Sequence, residues 1–436
     1  MANTQKVKPL EIYFDNRAGT YWMRSGARFL SLDGRNIKLH LMRSGMRVDT
    51  EDEHGLRDGD RVLTNAQLER AIDYAGPLAG HDAGLLPLSD GSKALVTSQV
   101  APVEAKAGKC PTLIRFLNQL LVDDEQTGFF MFWLKMGLES VRKRDFRPGQ
   151  LLVLAGPSGC GKSFLQALIT EVFGGRSAKP YRYMIGDTAF NSDLAAAEHL
   201  VIEDENSSAD IRSRRAFGAA IKQFTVNRDM SVHAKGRQAI TLPTFHRLTL
   251  SVNQEPENLM ILPPMDSSLL DNVMLFKCQP AELSEDREKN WQVFTGELPA
   301  FVAHVRSLRI PAGLRCPRFG VVAFHHPEIL EVITQISPEQ RLLNLIDEIL
   351  FTRRQSEDWK AFTERTKEPW EGSAEELEKV LRAPDSGFGF AVDKLLYFSS
   401  ACGVYLSRLA NKSPGRFVMS KNKGRTVWTI GKGDAK

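Results

Sequence analysis

Short apolar runs recur in the middle of the chain, and each ends in glycine or polar residues. Leu151–Ala155 leads into a glycine-rich segment, 200–202 leads into three acids, and alternating apolar positions in 248–252 lead into Asn253. Bounded apolar runs of this length are typical of buried parallel strands. Because helical spacing from 162 to about 173 follows the first run, the pattern predicts an α/β core.

The segments before this core have other patterns. Residues 11–41 are rich in aromatic and β-branched residues and contain Asn-Arg-Ala-Gly and Asp-Gly-Arg-Asn, which predicts successive short β-hairpins. The stretch from about 75 to 111 contains glycine and proline with little periodicity, which indicates a linker. Helical spacing in 112–121 and 128–144 predicts helices that lead into the first apolar run.

The C-terminal segment changes pattern again. A capping box, S-A-E-E at 373–376, predicts the start of a helix, and 391–410 predicts one or two more. Residues 415–430 predict two strands around a basic turn. Seven cations face a single acid from residue 412 onward, so this end of the chain is basic. They are Lys412, Arg416, Lys421, Lys423, Arg425, Lys432 and Lys436.

These changes of pattern suggest six segments along the chain. We expect a β-rich N-terminal domain at 1–75, a linker at 76–110, a helical segment at 111–147, an α/β core domain at 148–310, a connector at 311–340, and a basic domain of helices and two strands at 341–436.

Composition narrows the class of protein. The 436 residues exceed what one hydrophobic core usually organises, and 42% hydrophobic with 25% charged residues is ordinary for a soluble chain. No apolar run approaches the roughly 20 residues of a membrane helix, and the first residues lack a signal-peptide pattern, so we expect a cytoplasmic protein without a membrane partner. Five scattered cysteines, never in C-x-x-C spacing, argue against zinc or a disulfide framework.

The glycine-rich segment after the first apolar run satisfies the pattern G-x-x-x-x-G-K-[ST] in its required context of strand, loop and helix. Its glycines allow backbone amides to surround phosphates, its lysine neutralises their charge, and its serine hydroxyl is placed to ligate Mg²⁺. The predicted ATP-binding residues are Gly156, Pro157, Ser158, Gly159, Cys160, Gly161, Lys162 and Ser163.

An acidic group follows the second apolar run. Such a site needs one carboxylate for Mg²⁺ and one to orient the attacking water. We expect Glu203 to serve the metal, because it is the first residue past the run, and Asp204 to serve the water; Asp204 with Glu205 is the alternative pair. The third run ends in Asn253, whose amide is suited either to contact the γ-phosphate and the water or simply to begin a turn.

With these motifs the chain resembles the superfamily 3 helicases of small DNA viruses, phages and plasmids, in particular the primase-helicase branch. The resemblance rests on GPSGCGKS, LVIEDE, SVHAKGRQAITLP and LTLSVN, and covers about 110–280. It implies an AAA+ type P-loop core, a homo-oligomeric ring, ATP and Mg²⁺ as cofactors, and a role as an ATP-driven DNA helicase or translocase in phage, plasmid or mobile-element replication.

In that family a β-hairpin before the last motif projects into the channel of the ring and contacts single-stranded DNA. Here 231–233 and 239–241 have strand patterns around a Lys-Gly-Arg turn, and basic side chains on such a tip suit phosphates. The resemblance thus assigns DNA contacts to His233, Lys235 and Arg237. It also implies a C-terminal winged helix, where Lys421, Lys423 and Arg425 would contact duplex DNA.

One motif departs from the family pattern. Many relatives carry an Asp-Arg pair whose arginine enters the neighbouring subunit's ATP site, whereas this chain has Asp271-Asn272. Arg212, Arg214 and Arg215 are the alternative candidates for that role. Two other functions compete with the helicase, namely a P-loop small-molecule kinase and a DNA-binding module gated by ATP without unwinding. A kinase is disfavoured because 256–264 lacks the arginines of a lid.

Overall fold

The chain divides into two compact units, Met1–Ile329 and Leu330–Lys436. The computed structural model describes residues 11–203, 211–263, 265, 267–351, 368–422 and 424–431. Across these residues, no helix combines the length and the apolar character that a membrane span requires.

The first unit begins with a four-stranded sheet and two helices. Their bounds are β1 Ile12–Asp15, β2 Thr20–Ser25, β3 Arg28–Leu32, α1 Gly34–Arg43, α2 Asp58–Glu69 and β4 Ala71–Ile72. The strand order is β3-β2-β1-β4, antiparallel except for the parallel pair β1 and β4. Ile12, Met23, Ile37 and Leu41 fill the small core between sheet and helices.

The prediction of hairpins throughout 11–41 is wrong for its last third. The strands end at Leu32, and Asp33 begins α1 by accepting a hydrogen bond at Oδ1 from the Asn36 amide (2.7 Å). Aspartate followed by glycine suits a turn and a helix N-cap equally, so the dipeptide alone does not distinguish them. Burial of Ile37 and Leu41, one turn apart on α1, decides for the helix.

The segment predicted as a linker is folded. Three short strands, β5 Tyr74–Gly76, β6 Gly84–Pro87 and β7 Lys93–Val96, form a sheet in the order β5-β7-β6. Strands of three or four residues are too short to display an alternating pattern, which is why the sequence did not reveal them. The segment also packs on the core, because a Cβ on Gly80 would lie 2.6 Å from the Phe245 Cβ.

A buried carboxylate fastens this segment to the core. Glu198, fully buried, accepts hydrogen bonds from the Gly80 amide (2.8 Å) and from the Arg176 Nε (2.8 Å). Arg176 in turn donates to the Ser98 hydroxyl (3.1 Å). The ion pair of Glu198 and Arg176 compensates the buried carboxylate charge, which would otherwise be unfavourable, and it fixes 76–98 against the central sheet.

The core of the first unit is a five-stranded parallel sheet with surrounding helices. Its elements are α3 Pro111–Leu120, α4 Asp124–Lys143, β8 Leu151–Ala155, α5 Lys162–Val172, β9 Ser177–Ala178, α6 Tyr181–Met184, β10 His199–Ile202, α7 Ile211–Val226, β11 Asp229–Val232, β12 Ile240–Pro243, β13 Arg247–Val252, α8 Pro256–Leu259, α9 Ser267–Leu270, β14 Val273–Lys277 and α10 Arg287–Ser307. The sheet order is β14-β8-β13-β10-β9, and each neighbouring pair is parallel.

This sheet explains the continuous apolar runs. Every residue of β8, β10 and β13 is buried, as both-face burial of parallel strands requires. Side chains from α3, α4, α5 and α10 join β8 and β14 in one hydrophobic cluster. The antiparallel hairpin of β11 and β12 stands apart as its own two-stranded sheet.

Two histidines are uncharged in this core, His199, which is fully buried, and His246, which is partly buried. Burial lowers the pKa of His199 from 6.5 to about 3, and burial, with a smaller contribution from Arg247, lowers the pKa of His246 to about 4. Both side chains therefore stay neutral in the folded protein at pH values between about 4 and 6.5, at which the same histidines bind protons in the unfolded chain.

We expect stability to fall as the pH drops below 6.5, because only the unfolded state then binds protons at these sites. Each histidine should cost on the order of 1 kcal/mol of unfolding free energy between pH 7.5 and 5.5. Urea unfolding of the wild type and His199→Gln at both pH values measures this; the variant should show the smaller difference. His54→Gln, at an exposed position, is the control, and equal slopes in all three proteins would contradict the prediction.

The second unit is helical with a small antiparallel sheet. Its elements, after α11 Pro327–Gln335 at the boundary, are α12 Pro338–Ile346, β15 Trp370–Gly372, α13 Ala374–Leu381, α14 Gly389–Leu395, α15 Ala401–Lys412, β16 Phe417–Asn422 and β17 Arg425–Ile430. The strand order is β15-β17-β16. The capping box at Ser373 is present, since its Oγ accepts from the Glu376 amide and the Glu376 carboxylate accepts from the Ser373 amide.

Candidate nucleotide site and hairpin

The loop between β8 and α5 has the backbone conformation that its glycines predict. Gly159 and Gly161 have φ values of 73° and 115°, which non-glycine residues rarely adopt. Gly156 is needed for another reason, because a Cβ there would lie 2.4 Å from the Cys278 carbonyl oxygen. The three glycines thus allow the loop to pass close to the end of β14 and to present successive amides at the start of α5.

Lys162 lies folded over this loop. Its ammonium donates to the carbonyl oxygens of Gly156 (2.8 Å) and Pro157 (2.7 Å), and only 8% of the residue is exposed. Its Nζ also approaches the Cys160 Sγ at 3.7 Å. These neutral partners leave the charge of a buried ammonium uncompensated, so the loop fits an anionic ligand such as the phosphates of ATP.

The sheet places three predicted motifs side by side. β13 lies between β8 and β10, so the strand order is P-loop, Asn253, Glu203, although the chain order is P-loop, Glu203, Asn253. All three strands are parallel, and their carboxyl ends meet at one edge of the sheet. Ligands of open α/β sheets bind at that edge, so Asn253 is positioned between the loop and the acid.

Glu203 is the first residue after β10, as the sequence predicted, and 25% of its side chain is exposed. The exposed Lys179 approaches its carboxylate at 3.7 Å. Asp204, expected to orient the water, and Glu205, its partner in the alternative acidic pair, lie outside the described residues. Asn253 is partly exposed at the end of β13.

The site fits a magnesium ion with few protein ligands. Ser163 is exposed in the first turn of α5, and Glu203 reaches the same edge of the sheet. Within 11–203, 211–263 and the other described ranges, no group of three His, Cys, Asp or Glu could hold a metal by itself. Mg²⁺ usually takes one or two protein oxygens and completes its shell with phosphates and water, which is the arrangement that these residues allow.

A buried polar network, which the sequence did not reveal, connects the helix after the P-loop to the two strands. Gln166 on α5 donates from Nε2 to the Thr249 hydroxyl (2.8 Å) and to the Ile202 carbonyl (3.3 Å). The His199 ring hydrogen-bonds to the hydroxyls of Thr249 (2.9 Å) and Thr170 (2.7 Å). These hydrogen bonds join α5, β10 and β13 inside the core, although the Gln166 Oε1 is buried without a partner among the described residues. Buried hydrogen bonds between elements restrict their relative motion.

The predicted hairpin is present. β11 and β12 pair antiparallel, and Gly236 at the turn has a φ of 75°. Lys235 and Arg237 are exposed on either side of this glycine. His233 is half-buried, and Asn191 fixes its backbone by accepting from its amide at Oδ1 (2.7 Å) and donating to its carbonyl from the main chain (3.1 Å).

The N-terminal sheet touches this hairpin. Arg17 donates from Nη1 to the carbonyl of Gln238 (2.7 Å), next to the turn. Arg237 approaches the carboxylate of the buried Asp15 at 3.8 Å. The turn after β1 therefore restrains the hairpin, and Arg237, one of the three predicted DNA contacts of the hairpin, already faces an acid.

The candidates for a trans-acting arginine lie on α7. Arg214 donates from Nη2 to the Leu262 carbonyl (2.8 Å), and Arg215 is exposed. Arg212 lies in the first turn of the same helix. Asn272, which replaces the family arginine, is buried and donates to the Thr225 hydroxyl (2.7 Å), so this position has a structural role here.

The basic character of the C-terminal end is smaller in the structure than in the sequence. Lys412 pairs with Glu339 (3.3 Å), and Arg416 pairs with Asp347. Lys421 and Arg425 are exposed on the β16–β17 hairpin. Arg425 also acts on an acid: hydrogen bonds from Ser373, with smaller contributions from Lys379 and Arg425, lower the pKa of Glu376. Lys423, Lys432 and Lys436 lie outside the described residues.

Gly156→Ala should destabilise the protein by about 1 to 3 kcal/mol, the usual cost of an added methyl group in a tight contact. The new Cβ would meet the Cys278 carbonyl and Cβ at 2.4 and 2.8 Å, so the loop must move and nucleotide affinity should fall. Urea unfolding and binding of a fluorescent ATP analogue measure both effects. The control Gly128→Ala, on α4 with no atom near its added Cβ, should be neutral or stabilising. Equal behaviour of the two variants would contradict this reading of the loop.

Comparison with known proteins supports the fold. Residues 154–267, which contain the P-loop, the acids, the hairpin and Asn253, match a family of unknown function, DUF5906. The A-form apo structure of the NrS-1 C-terminal region is similar at a TM-score of 0.55 and 15% identity, with 97% of each chain covered. The apo structure of NrS-1 residues 305–718 gives 0.56 and 14%, covering 97% of this chain and 96% of that one.

Two further comparisons add little. A solved structure of SCCmec type IV Cch, described as an active helicase, matches with a TM-score of 0.29 and 11% identity over 94% of this chain and 74% of that chain, too low to argue from. No curated protein sequence matches the chain. The chain therefore has the mixed α/β fold of the NrS-1 C-terminal region, with a five-stranded parallel sheet.

Proposed function

We propose that this protein is an ATP-driven DNA helicase or translocase that acts in the replication of a phage, plasmid or mobile element. The observation that carries the proposal is the edge of the sheet where the P-loop, Asn253 and Glu203 meet in adjacent strands, combined with a basic hairpin built on the same core. The fold shared with the NrS-1 C-terminal region and the resemblance to superfamily 3 helicases agree with it.

Each residue of the site has a distinct task in this proposal. Lys162 neutralises charge on the β- and γ-phosphates, and the amides of 156–161 hold their oxygens. Ser163 and Glu203 hold Mg²⁺, which supplies charge neutralisation at the transferred phosphoryl group. Asp204 orients and deprotonates the attacking water, and Asn253, between loop and acid, contacts the γ-phosphate or that water. Arg212, Arg214 or Arg215 completes the site of a neighbouring subunit in a homo-oligomeric ring.

The hairpin couples the nucleotide site to DNA. Three residues join β12 to β13, and Asn253 follows β13 at the edge proposed to bind the phosphates, so a displacement of β13 reaches the hairpin directly. His233, Lys235 and Arg237 then grip the phosphates of single-stranded DNA in the channel of the ring. This arrangement favours a motor over a kinase, because a kinase has no use for a basic hairpin on its core.

The second unit is proposed as a winged helix that binds duplex DNA. Among its described residues, α13, α14 and α15 precede the antiparallel pair of β16 and β17, and Lys421 and Arg425 are exposed near the turn between these strands. Basic residues at such a tip contribute affinity without sequence information.

Replacing Lys421, Lys423 and Arg425 together with alanine should reduce the salt dependence of duplex binding by a slope of roughly 3, since about three phosphate contacts are lost. Fluorescence anisotropy between low and physiological salt measures this slope. Unwinding of pre-loaded substrate should persist in the variant. An unchanged salt dependence of duplex binding would show that these three residues do not contact the DNA backbone.

The proposal is tested by ATPase activity with and without DNA, together with size analysis in the presence of ATP. DNA-stimulated hydrolysis by an oligomer is the expected result. A protein that stays monomeric and hydrolyses nothing with DNA present would refute the motor. Nucleotide-dependent DNA binding without turnover would instead identify the ATP-gated binding module.

A further inference from the structure

A second concentration of positive charge lies at the opposite end of the core sheet from the P-loop. A groove of about 560 Å³ is lined there by Lys135, Arg147, Arg309 and Arg315, with Met136 and Cys316 in its wall. Arg147 precedes β8, whereas the P-loop follows it, so the groove is separate from the nucleotide site. No motif in the sequence drew attention to this place.

The groove is formed by two segments that the fold brings together. The C-terminal half of α4 supplies one wall, and the stretch after α10 supplies the other. Gln150 donates to the Val321 carbonyl (2.8 Å), and a Cβ on Gly320 would lie 2.2 Å from the Met136 Sδ. Lys135 also donates to the Arg306 carbonyl (2.6 Å), so the two walls are closely joined.

The charge of the groove is strongly one-sided. Glu139 is the one acid among its lining residues, and it pairs with Lys135 (2.8 Å) and Lys143 (3.6 Å). The three arginines of the lining therefore face it without a compensating carboxylate among the lining residues. The segments 135–147 and 304–318 together contain nine lysines and arginines against two acids. Asp82, outside these segments, pairs with Arg144.

The groove is also adjacent to the base of the hairpin. Arg228, which precedes β11, pairs with Asp145 (3.3 Å), two residues before Arg147. Phe146 contacts the Phe245 ring at 6.0 Å between centroids, just after β12. A strand leaving the hairpin at this end of the sheet would meet the groove next.

We propose that this groove binds the phosphate backbone of single-stranded nucleic acid, as a contact site distinct from the hairpin and from the wing. The three exposed arginines that line one groove suit a chain of phosphates better than one isolated anion, and apolar side chains such as Met136 and Leu308 suit sugars and base faces. Binding of nucleic acid by this groove does not require ATP hydrolysis, so its test is independent of the test of the motor.

The charge contribution is tested with Arg147→Gln, Arg309→Gln and Arg315→Gln combined in the full chain. Binding of a fluorescent single-stranded oligodeoxynucleotide, without nucleotide, should weaken, and its salt dependence should fall by a slope of about 2, at roughly 0.7 per phosphate contact. The control combines Arg28→Gln, Arg35→Gln and Arg43→Gln, which removes equal charge from exposed positions of the N-terminal sheet and α1. Equal losses in both proteins, or no loss in the first, would overturn the proposal.

The wild-type protein offers a second test that needs no substitution. Cys316 is partly exposed in the groove, whereas the other four cysteines are buried. The oligodeoxynucleotide should slow alkylation of Cys316 by a maleimide severalfold, measured by peptide mass spectrometry. Unchanged alkylation at saturating DNA would place the strand elsewhere. Equal protection by polyglutamate at the same ionic strength would show an acidic polypeptide site instead, and would overturn the nucleic-acid assignment.

Discussion

Lys162→Ala is expected to reduce ATP turnover at least a hundredfold, the usual scale for removing one preorganised group that stabilises the transition state. Lys162 is held by the loop carbonyls of Gly156 and Pro157 at the start of α5, so its ammonium is already positioned for the phosphates. The substitution removes the fixed cation and leaves the amides in place. Phosphate release in the presence of DNA measures the effect.

The control for this variant is Lys289→Ala, an exposed lysine in the first turn of α10. It should hydrolyse ATP at the wild-type rate. Circular dichroism and urea unfolding of Lys162→Ala show whether the fold is retained. Wild-type turnover in the folded Lys162→Ala protein would mean that the P-loop is not the catalytic centre.

Lys235→Ala combined with Arg237→Ala should abolish strand displacement while ATP hydrolysis without DNA survives. Both residues flank Gly236 at the exposed hairpin tip, so their loss leaves the nucleotide site intact but removes the grip on phosphates. A forked substrate with a fluorescent strand measures displacement, and phosphate release is followed in parallel. DNA should no longer stimulate hydrolysis in this variant.

Asp15→Asn supplies the matched control for the hairpin. It removes the carboxylate that faces Arg237 at 3.8 Å, so it should leave displacement intact or increase it, because Arg237 is then released toward DNA. Normal unwinding by the Lys235 and Arg237 double variant would show that this hairpin is not the coupling element. The motor proposal would then lack a connection between hydrolysis and movement.

The fold could be predicted from the sequence where short-range chemistry decides. The strand, loop and helix around Gly156–Lys162 depend on backbone conformations that only glycine adopts easily and on one helix start, all within a few residues. The hairpin at 229–243 likewise depends on a glycine turn between two short strands. Asp33 shows the limit, because its side chain serves a turn or a helix and only packing distinguishes them.

The candidate site could be predicted as a set of residues but not as an arrangement. Glu203 and Asn253 were expected because polar groups follow apolar strands, and the structure places both at the expected strand ends. That β13 lies between β8 and β10 is a matter of strand order, which no local pattern encodes. Gln166 and His199 were missed for the same reason, since their hydrogen bonds join elements far apart in the chain.

The sequence by itself determined the glycine loop before α5, the acid that follows β10 and the basic hairpin, because each depends on residues that are neighbours in the chain. Only the tertiary structure decided which charges remain exposed. Lys412 and Arg416 look like free cations in the sequence, yet Glu339 and Asp347 pair with them across 69 or more residues. Arg147, Arg309 and Arg315 look scattered, yet they line one groove. The energy of a charge depends on its distance from other charges in space, and folding sets that distance.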